Sequence, residues 1–142
     1  VLTKKPFSPT NEVWEVDFTA FPDLAQTLVA TCAMLDQPFH FTGLQSLRIK
    51  ETDRIAALAA ELGKLGISLE TQEAEIRYTP SASNTNAQEL PEIKTYEDHR
   101  MAMSFAPCAI LHPQIKILHS EVVNKSYPTF WKDLERVGVT LQ

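Results

Sequence analysis

Residues 23–41 read DLAQTLVATCAMLDQPFHF, and residues 98–117 read DHRMAMSFAPCAILHPQIKI. Each stretch opens on Asp and runs through apolar and small residues around one Cys. Each then crosses a short segment containing Pro and resumes as an apolar run. Asp23 matches Asp98 at an offset of 75 residues. Further along, LGKLGISLE matches LERVGVTLQ, Leu62 with Leu134, at an offset of 72. A drift of a few residues is what unequal loops produce between copies of one unit.

The unit reads β-α-β-α-β-β, an α+β fold with α/β-like order. The first copy predicts a strand near Val13–Phe18, a helix from Asp23 to Leu35 and a strand Pro38–Leu44. A helix from Glu51 to Leu65 and two short strands, Ile67–Thr71 and Glu75–Thr79, complete it. The second predicts a strand Glu92–Thr95, a helix Asp98–Leu111, a strand Ile115–His119, a helix Tyr127–Val137 and a last strand Val139–Leu141. Gly66 and Gly138 stand where helix C-caps belong. Pro107 falls inside the expected Asp98 helix, removes one backbone hydrogen bond and should kink it. Residues 1–11 then form a tail from a preceding repeat, 12–79 the first copy, 80–90 a polar link and 91–142 the second copy.

Between Arg48 and Gly66 the chain reads RIKETDRIAALAAELGKLG. Ile55, Leu58, Ala59, Leu62 and Leu65 follow the i, i+3, i+4, i+7 rule of one buried helical stripe. The expected mouth of that helix carries Lys50 and Arg54, although the macrodipole disfavours cations there. His99 and Arg100 follow Asp98, a plausible N-cap, in the same way. Lys125 precedes Ser126, another plausible N-cap, with Pro128 in the first turn. A bound anion would resolve all three conflicts, because free N–H groups at a helix start favour phosphate or carboxylate. Arg offers a carboxylate a two-pronged fork and Lys offers phosphate a compact charge. Taken singly, each is also readable as a solvated surface charge. Glu51 extends the apolar stripe at its open end, where an inward carboxylate could carry a proton. Asp23 and Asp98 read locally as caps, and Asp53 as solvated.

The composition excludes other classes. Hydrophobic residues make up 44% and charged residues 22%, a globular mix. The net charge of −5 argues against a general nucleic-acid binder. No apolar run reaches the roughly 18 residues of a membrane span, and no signal region opens the chain. Cys32 and Cys108 lie in apolar helical patterns and read as buried thiols of a reducing compartment. The histidines at 40, 99, 112 and 119 lack metal-ligand spacing, so no metal site is expected. Separately, no cofactor is expected. The chain opens on Val1 rather than Met, which reads as a cut or processed piece.

FPDLAQTLVATCAML, RIKETDRIAALAAELGKLG, YEDHRMAMSFAP and NKSYPTFWKDLERVG, in this order, resemble the C-terminal part of the 5-enolpyruvylshikimate-3-phosphate synthase family. The resemblance runs from about Val13. It implies two of the three β-α-β-α-β-β units of the family's C-terminal domain, with the N-terminal domain of the same chain as a partner that closes over the substrates. It implies phosphoenolpyruvate and shikimate 3-phosphate as substrates, condensing to a tetrahedral intermediate that loses phosphate. On that basis Arg54 and Arg100 hold the phosphoenolpyruvate carboxylate and Lys125 lies near its phosphate. Lys50 contacts the shikimate-phosphate side. Asp23 binds the shikimate hydroxyls and acts as base, Glu51 exchanges the methylene proton, and His99 supports them. Members often carry Asn-Trp before the R-x-K-E-T-D-R run, where this chain has QSL, so Ser46 stands in the Asn's place. The resemblance further implies a cytoplasmic enzyme whose isolated piece is inactive. A transferase acting on a UDP-amino sugar shares the architecture but typically lacks the DHRMAM and K-E-T-D-R runs. An RNA-phosphate cyclase is disfavoured by the acidic charge, and a non-catalytic anion-binding module is the reading from another class.

Overall fold

The computed structural model describes residues 8–81 and 89–142, so most of the expected 80–90 link and much of the 1–11 tail lie outside the described residues. The first copy contains β1 (Trp14–Asp17), a 3-10 helix Pro22–Leu24, α1 (Ala25–Met34) and β2 (Phe39–Thr42). A 3-10 helix Gln45–Ile49, α2 (Arg54–Lys64), β3 (Glu70–Thr71) and β4 (Ile76–Tyr78) follow. The second contains β5 (Glu92–Ile93), α3 (His99–Phe105), a 3-10 helix Ala106–Ile110 and β6 (Lys116–Ile117). It ends with a 3-10 helix Ser120–Lys125 and α4 (Phe130–Arg136).

In both copies the first helix carries the chain between two parallel strands. β1 pairs with β2 from Trp14↔Phe39 to Asp17↔Thr42, and β5 pairs with β6 at Glu92↔Lys116 and Ile93↔Ile117. The first copy adds β4 and β3 antiparallel beyond β2, giving the order β1-β2-β4-β3. Helix-then-strand thus recurs where the sequence repeats.

The core fills the space between the larger sheet and its helices. Phe39 and Phe41 of β2 stack at 4.2 Å, and Phe18 meets Phe41 edge-on at 5.2 Å. Val29 and Ala33 of α1, and Ile55, Leu58 and Leu62 of α2, are buried against them. Ala57 rather than Ala59 completes the buried face of α2. Helices α1 and α3 join the copies, with Thr27 Oγ1 3.3 Å from Ser104 Oγ. Cys32 and Cys108 are buried, and burial pushes their thiols up to about 11 and about 12.

Gly43 follows β2 with φ +72°. A Cβ there would stand 2.3 Å from Asp17 Oδ1 and 2.5 Å from Thr19 N. Only glycine combines that conformation with that approach.

Several boundaries depart from the sequence reading. α2 begins at Arg54, not Glu51, because Asp53 is its N-cap: the Asp53 carboxylate accepts from Ala56 N at 3.0 Å. Glu51 therefore lies outside the helix, its side chain is 52% exposed, and it does not continue the apolar stripe. Asp23 caps no helix through its side chain, whereas Asp98 caps α3 by accepting from Arg100 N at 2.8 Å. Pro107 ends α3 rather than kinking it, since the chain tightens at Ala106 into a 3-10 helix. α4 begins at Phe130, with Thr129 preceding it, so Ser126 and Pro128 do not open it. Gly66 and Gly138 do close helices, at φ +81° and +103°. Val139–Leu141 is not a strand; Val139 N instead turns back to Leu134 O at 3.3 Å. Strand geometry needs a partner ladder, and Val139–Leu141 pairs with neither sheet.

Candidate functional site

The candidate residues lie beyond the carboxyl ends of the parallel strands, where ligands of open α/β sheets bind. Asp23 follows β1, and Ser46, Lys50, Glu51 and Arg54 follow β2. Asp98, His99 and Arg100 follow β5, and Lys125 follows β6. The repeat becomes sharper here. Lys50 directly follows the 3-10 helix after β2, and Lys125 is the last residue of the one after β6. Like Asp23 and Asp98, the two lysines are 75 residues apart.

These lysines do not face a helix start. Each stands at a C-terminal end, where the dipole favours a cation. With the corrected boundaries the conflict disappears for the two lysines and remains for Arg54.

Arg54 sits at the first position of α2, and the structure supplies its counter-charges from within the chain. Nε donates to Asp98 Oδ2 at 2.6 Å, Nη1 to Asp23 Oδ1 at 2.8 Å and Nη2 to Glu51 Oε2 at 2.7 Å. One guanidinium thus fastens three chain segments, and only a planar fork could do so. The Arg54 side chain is 2% exposed and that of Asp98 is fully buried. Glu51 and Asp23 open to solvent on the other side, with Asp23 40% exposed. Arg54 can therefore meet an outside anion only by exchanging a carboxylate, and Glu51 is the most accessible of the three.

Asp23 collects further cations. Arg100 Nη2 lies 3.3 Å from Asp23 Oδ2, Arg100 Nη1 donates to the Asp23 carbonyl at 3.1 Å, and Lys50 Nζ stands 3.7 Å from Oδ1. Partial burial would raise the Asp23 carboxyl, but Arg100, Lys50 and the Arg54 hydrogen bond outweigh it, so its pKa lies below the ordinary value. His99 Nδ1 is 4.0 Å from Asp98 Oδ1. Ser46, half-buried, lies within the 3-10 helix leading to Lys50. Lys125 is exposed; its 3-10 helix packs on α3, and among the described residues no ion pair joins it to the cluster. The structure thus brings Asp23, Lys50, Glu51, Arg54 and Arg100 together, and places Lys125 apart.

Sequence reasoning missed Asp98 as a member of the cluster, treating it as a cap only. It also missed Glu61, which is buried on the same face of α2 as Arg54. The spacing of seven residues was available as a signal. Glu61 Oε1 accepts from Tyr96 OH at 2.8 Å, and Oε2 accepts from Lys94 N at 2.9 Å and from Lys64 Nζ. Burial and the Glu61 carboxylate together push the Tyr96 hydroxyl up to about 12. Tyr96 and Glu97 both adopt left-handed backbone, φ +54° and +58°. Such residues cost about 1–3 kcal/mol each and persist only where their surroundings hold them.

The carboxylates also set an acid limit. Asp23, Asp53 and Asp133 all titrate below the ordinary range. For Asp53, burial opposes the shift and hydrogen bonds from Ala56 N and Arg48 produce it. A carboxyl with a lowered folded pKa stabilises above its unfolded value and loses that contribution as pH falls through the folded one. Thermal midpoints followed by circular dichroism should be flat from pH 6 to 7 and fall progressively below about pH 4. A midpoint unchanged between pH 5 and 3 would show that these pairs contribute nothing.

The EPSP synthase (3-phosphoshikimate 1-carboxyvinyltransferase) family model matches residues 2–134. The chain belongs to the EPSP synthase family. A 3-phosphoshikimate 1-carboxyvinyltransferase of Bacteroides fragilis (strain YCH46) is 56% identical over 122 residues, 86% of this chain and 30% of that protein. The same-named protein of Rhizobium etli (strain CIAT 652) is 36% identical, covering 99% of this chain and 33% of its own length. The solved EPSP synthase of Acinetobacter baumannii superposes with a TM-score of 0.73 at 31% identity, over 85% of this chain and 28% of that one. The chain thus spans about a third of the length of these relatives. Among the described residues no helix is long and apolar enough to cross a membrane.

Proposed function

We propose that this chain is the C-terminal part of an enzyme that transfers the carboxyvinyl group of phosphoenolpyruvate to shikimate 3-phosphate and releases phosphate through a tetrahedral intermediate. The observation that carries the reading is the convergence of Asp23, Lys50, Glu51, Arg54 and Arg100 beyond three strand ends. Three carboxylates and three cations, counting Asp98, compensate one another there. Two anionic substrates would enter by taking over cations now held by carboxylates.

In this reading Arg100 and Arg54 grip the phosphoenolpyruvate carboxylate, and Arg54 does so by releasing Glu51. Release frees Glu51 to exchange a proton at the methylene carbon. Lys50 and Ser46 serve the shikimate-phosphate side, and Lys125 the phosphoenolpyruvate phosphate. Asp23 takes the shikimate hydroxyls. Its lowered pKa makes it a weak base at rest, and substrate anions that draw Arg100 and Lys50 away would restore its basicity. His99 sits beside Asp98 in support. The remaining ligands belong to the N-terminal domain that the resemblance implies, and the buried thiols accord with a cytoplasmic setting.

The test is phosphate release from the two substrates. The full-length protein carrying this segment should turn over, and the 142-residue chain alone should not, because positioning catalysis requires all its ligands held together. Absence of turnover in the full-length protein would overturn the assignment.

A further inference from the structure

Helix α2 carries two buried charged residues seven positions apart, Arg54 and Glu61, with buried Leu58 between them. Seven residues are about two turns, so both point to one side, roughly 10 Å apart along the axis. The segment from Lys94 to Asp98 lies against that side and is held at both ends. Arg54 takes the Asp98 carboxylate, while Glu61 takes the Lys94 amide and the Tyr96 hydroxyl. Lys64 reinforces the grip by donating to Glu61 and, at 2.7 Å, to the Glu92 carbonyl.

Between these anchors lie Tyr96 and Glu97, both left-handed. That pair reverses the chain after β5 and delivers Asp98, His99 and Arg100 into the cluster. Neither residue is glycine, so the turn has little intrinsic preference for this shape. Its geometry must come from contacts: the Tyr96 ring packs against the core, and among the described residues Glu61 is the partner that takes the Tyr96 hydroxyl.

We propose that Glu61 is a positioning residue that sets the Tyr96–Glu97 turn and thereby places Arg100 for anion binding. Glu61 touches no candidate substrate group and acts through Tyr96, Lys94 and the turn. The part of this inference that concerns substrate rests on the functional reading above.

Two measurements test it, one independent of activity. In Glu61→Gln, which keeps the shape but loses the charge facing Lys64, amide exchange at Lys94 and at His99–Met101 should quicken about tenfold, with Val29 and Ala30 of α1 unchanged. In the full-length protein the same substitution should raise KM for phosphoenolpyruvate about tenfold while kcat moves less than about threefold. Tyr96→Phe, which deletes one hydrogen bond, should shift both readouts in the same direction and decides the matter if Glu61→Gln does not fold. A lower unfolding midpoint with unaltered KM and unaltered exchange at His99–Met101 would overturn the proposal and leave Glu61 a stability residue. A full-length protein without turnover would overturn the functional reading, and the exchange measurement would still decide whether Glu61 sets the turn.

Discussion

Arg54→Ala should destabilise the folded chain by about 3–5 kcal/mol, the range for removing one partner of a buried ion pair. The effect comes from what is left behind. Asp98 is fully buried and would be left without the Arg54 counter-charge, its carboxylate still accepting from Arg100 N. Asp23 and Glu51 would lose a shared anchor but can turn to solvent. Most of the loss should therefore trace to Asp98. Urea unfolding monitored by circular dichroism gives the number, and Arg54→Ala combined with Asp98→Asn should recover a large part of it. A loss below about 1 kcal/mol for the single variant would mean that the cluster behaves as an exposed surface pair.

The second large effect is kinetic. In the full-length protein Glu51→Gln should lower kcat by about 10²–10⁴-fold with little change in either KM, the signature of a lost proton carrier rather than a lost ligand. The glutamine can still accept the Arg54 hydrogen bond, so the fastening of the segment survives. Steady-state phosphate release, varied in each substrate, separates the two quantities. A raised KM at unchanged kcat would move Glu51 from proton transfer to binding.

The alternation of helix and strand was legible because it is local and occurs twice. Asp23–Phe41 and Asp98–Ile117 each carry a complete helix-then-strand pattern, and the parallel pairing of β1 with β2 recurs between β5 and β6. The candidate residues were legible as types, since cations beside helix starts invite an anion. Their partners were not. Arg54 meets Asp23 and Asp98 across 31 and 44 residues, and no periodicity encodes such pairings. Lys125 was misplaced because Ser126 and Pro128 imitate a helix start, whereas Tyr127 N continues the preceding turn by bonding Val123 O at 2.8 Å. Asp53 lies opposite the stripe, which reads as solvated, but its carboxylate also reaches Ala56 N at 3.0 Å, a contact that the apolar period does not encode. Val139–Leu141 alternates like a strand, but alternation alone does not supply a neighbouring ladder.

The two cysteines have a use beyond packing. Alkylating reagents attack the thiolate, and both groups are kept protonated by burial. Cys32 lies in α1 of the first copy and Cys108 in the 3-10 helix after α3 of the second. Neither thiol can be modified until the chain around it opens. Each copy therefore contains its own silent clock, which starts only when that copy comes apart. Two labelling rates read from one sample would tell whether the copies open as a single unit, or whether one is loosened first while the Arg54 fastening still holds the other.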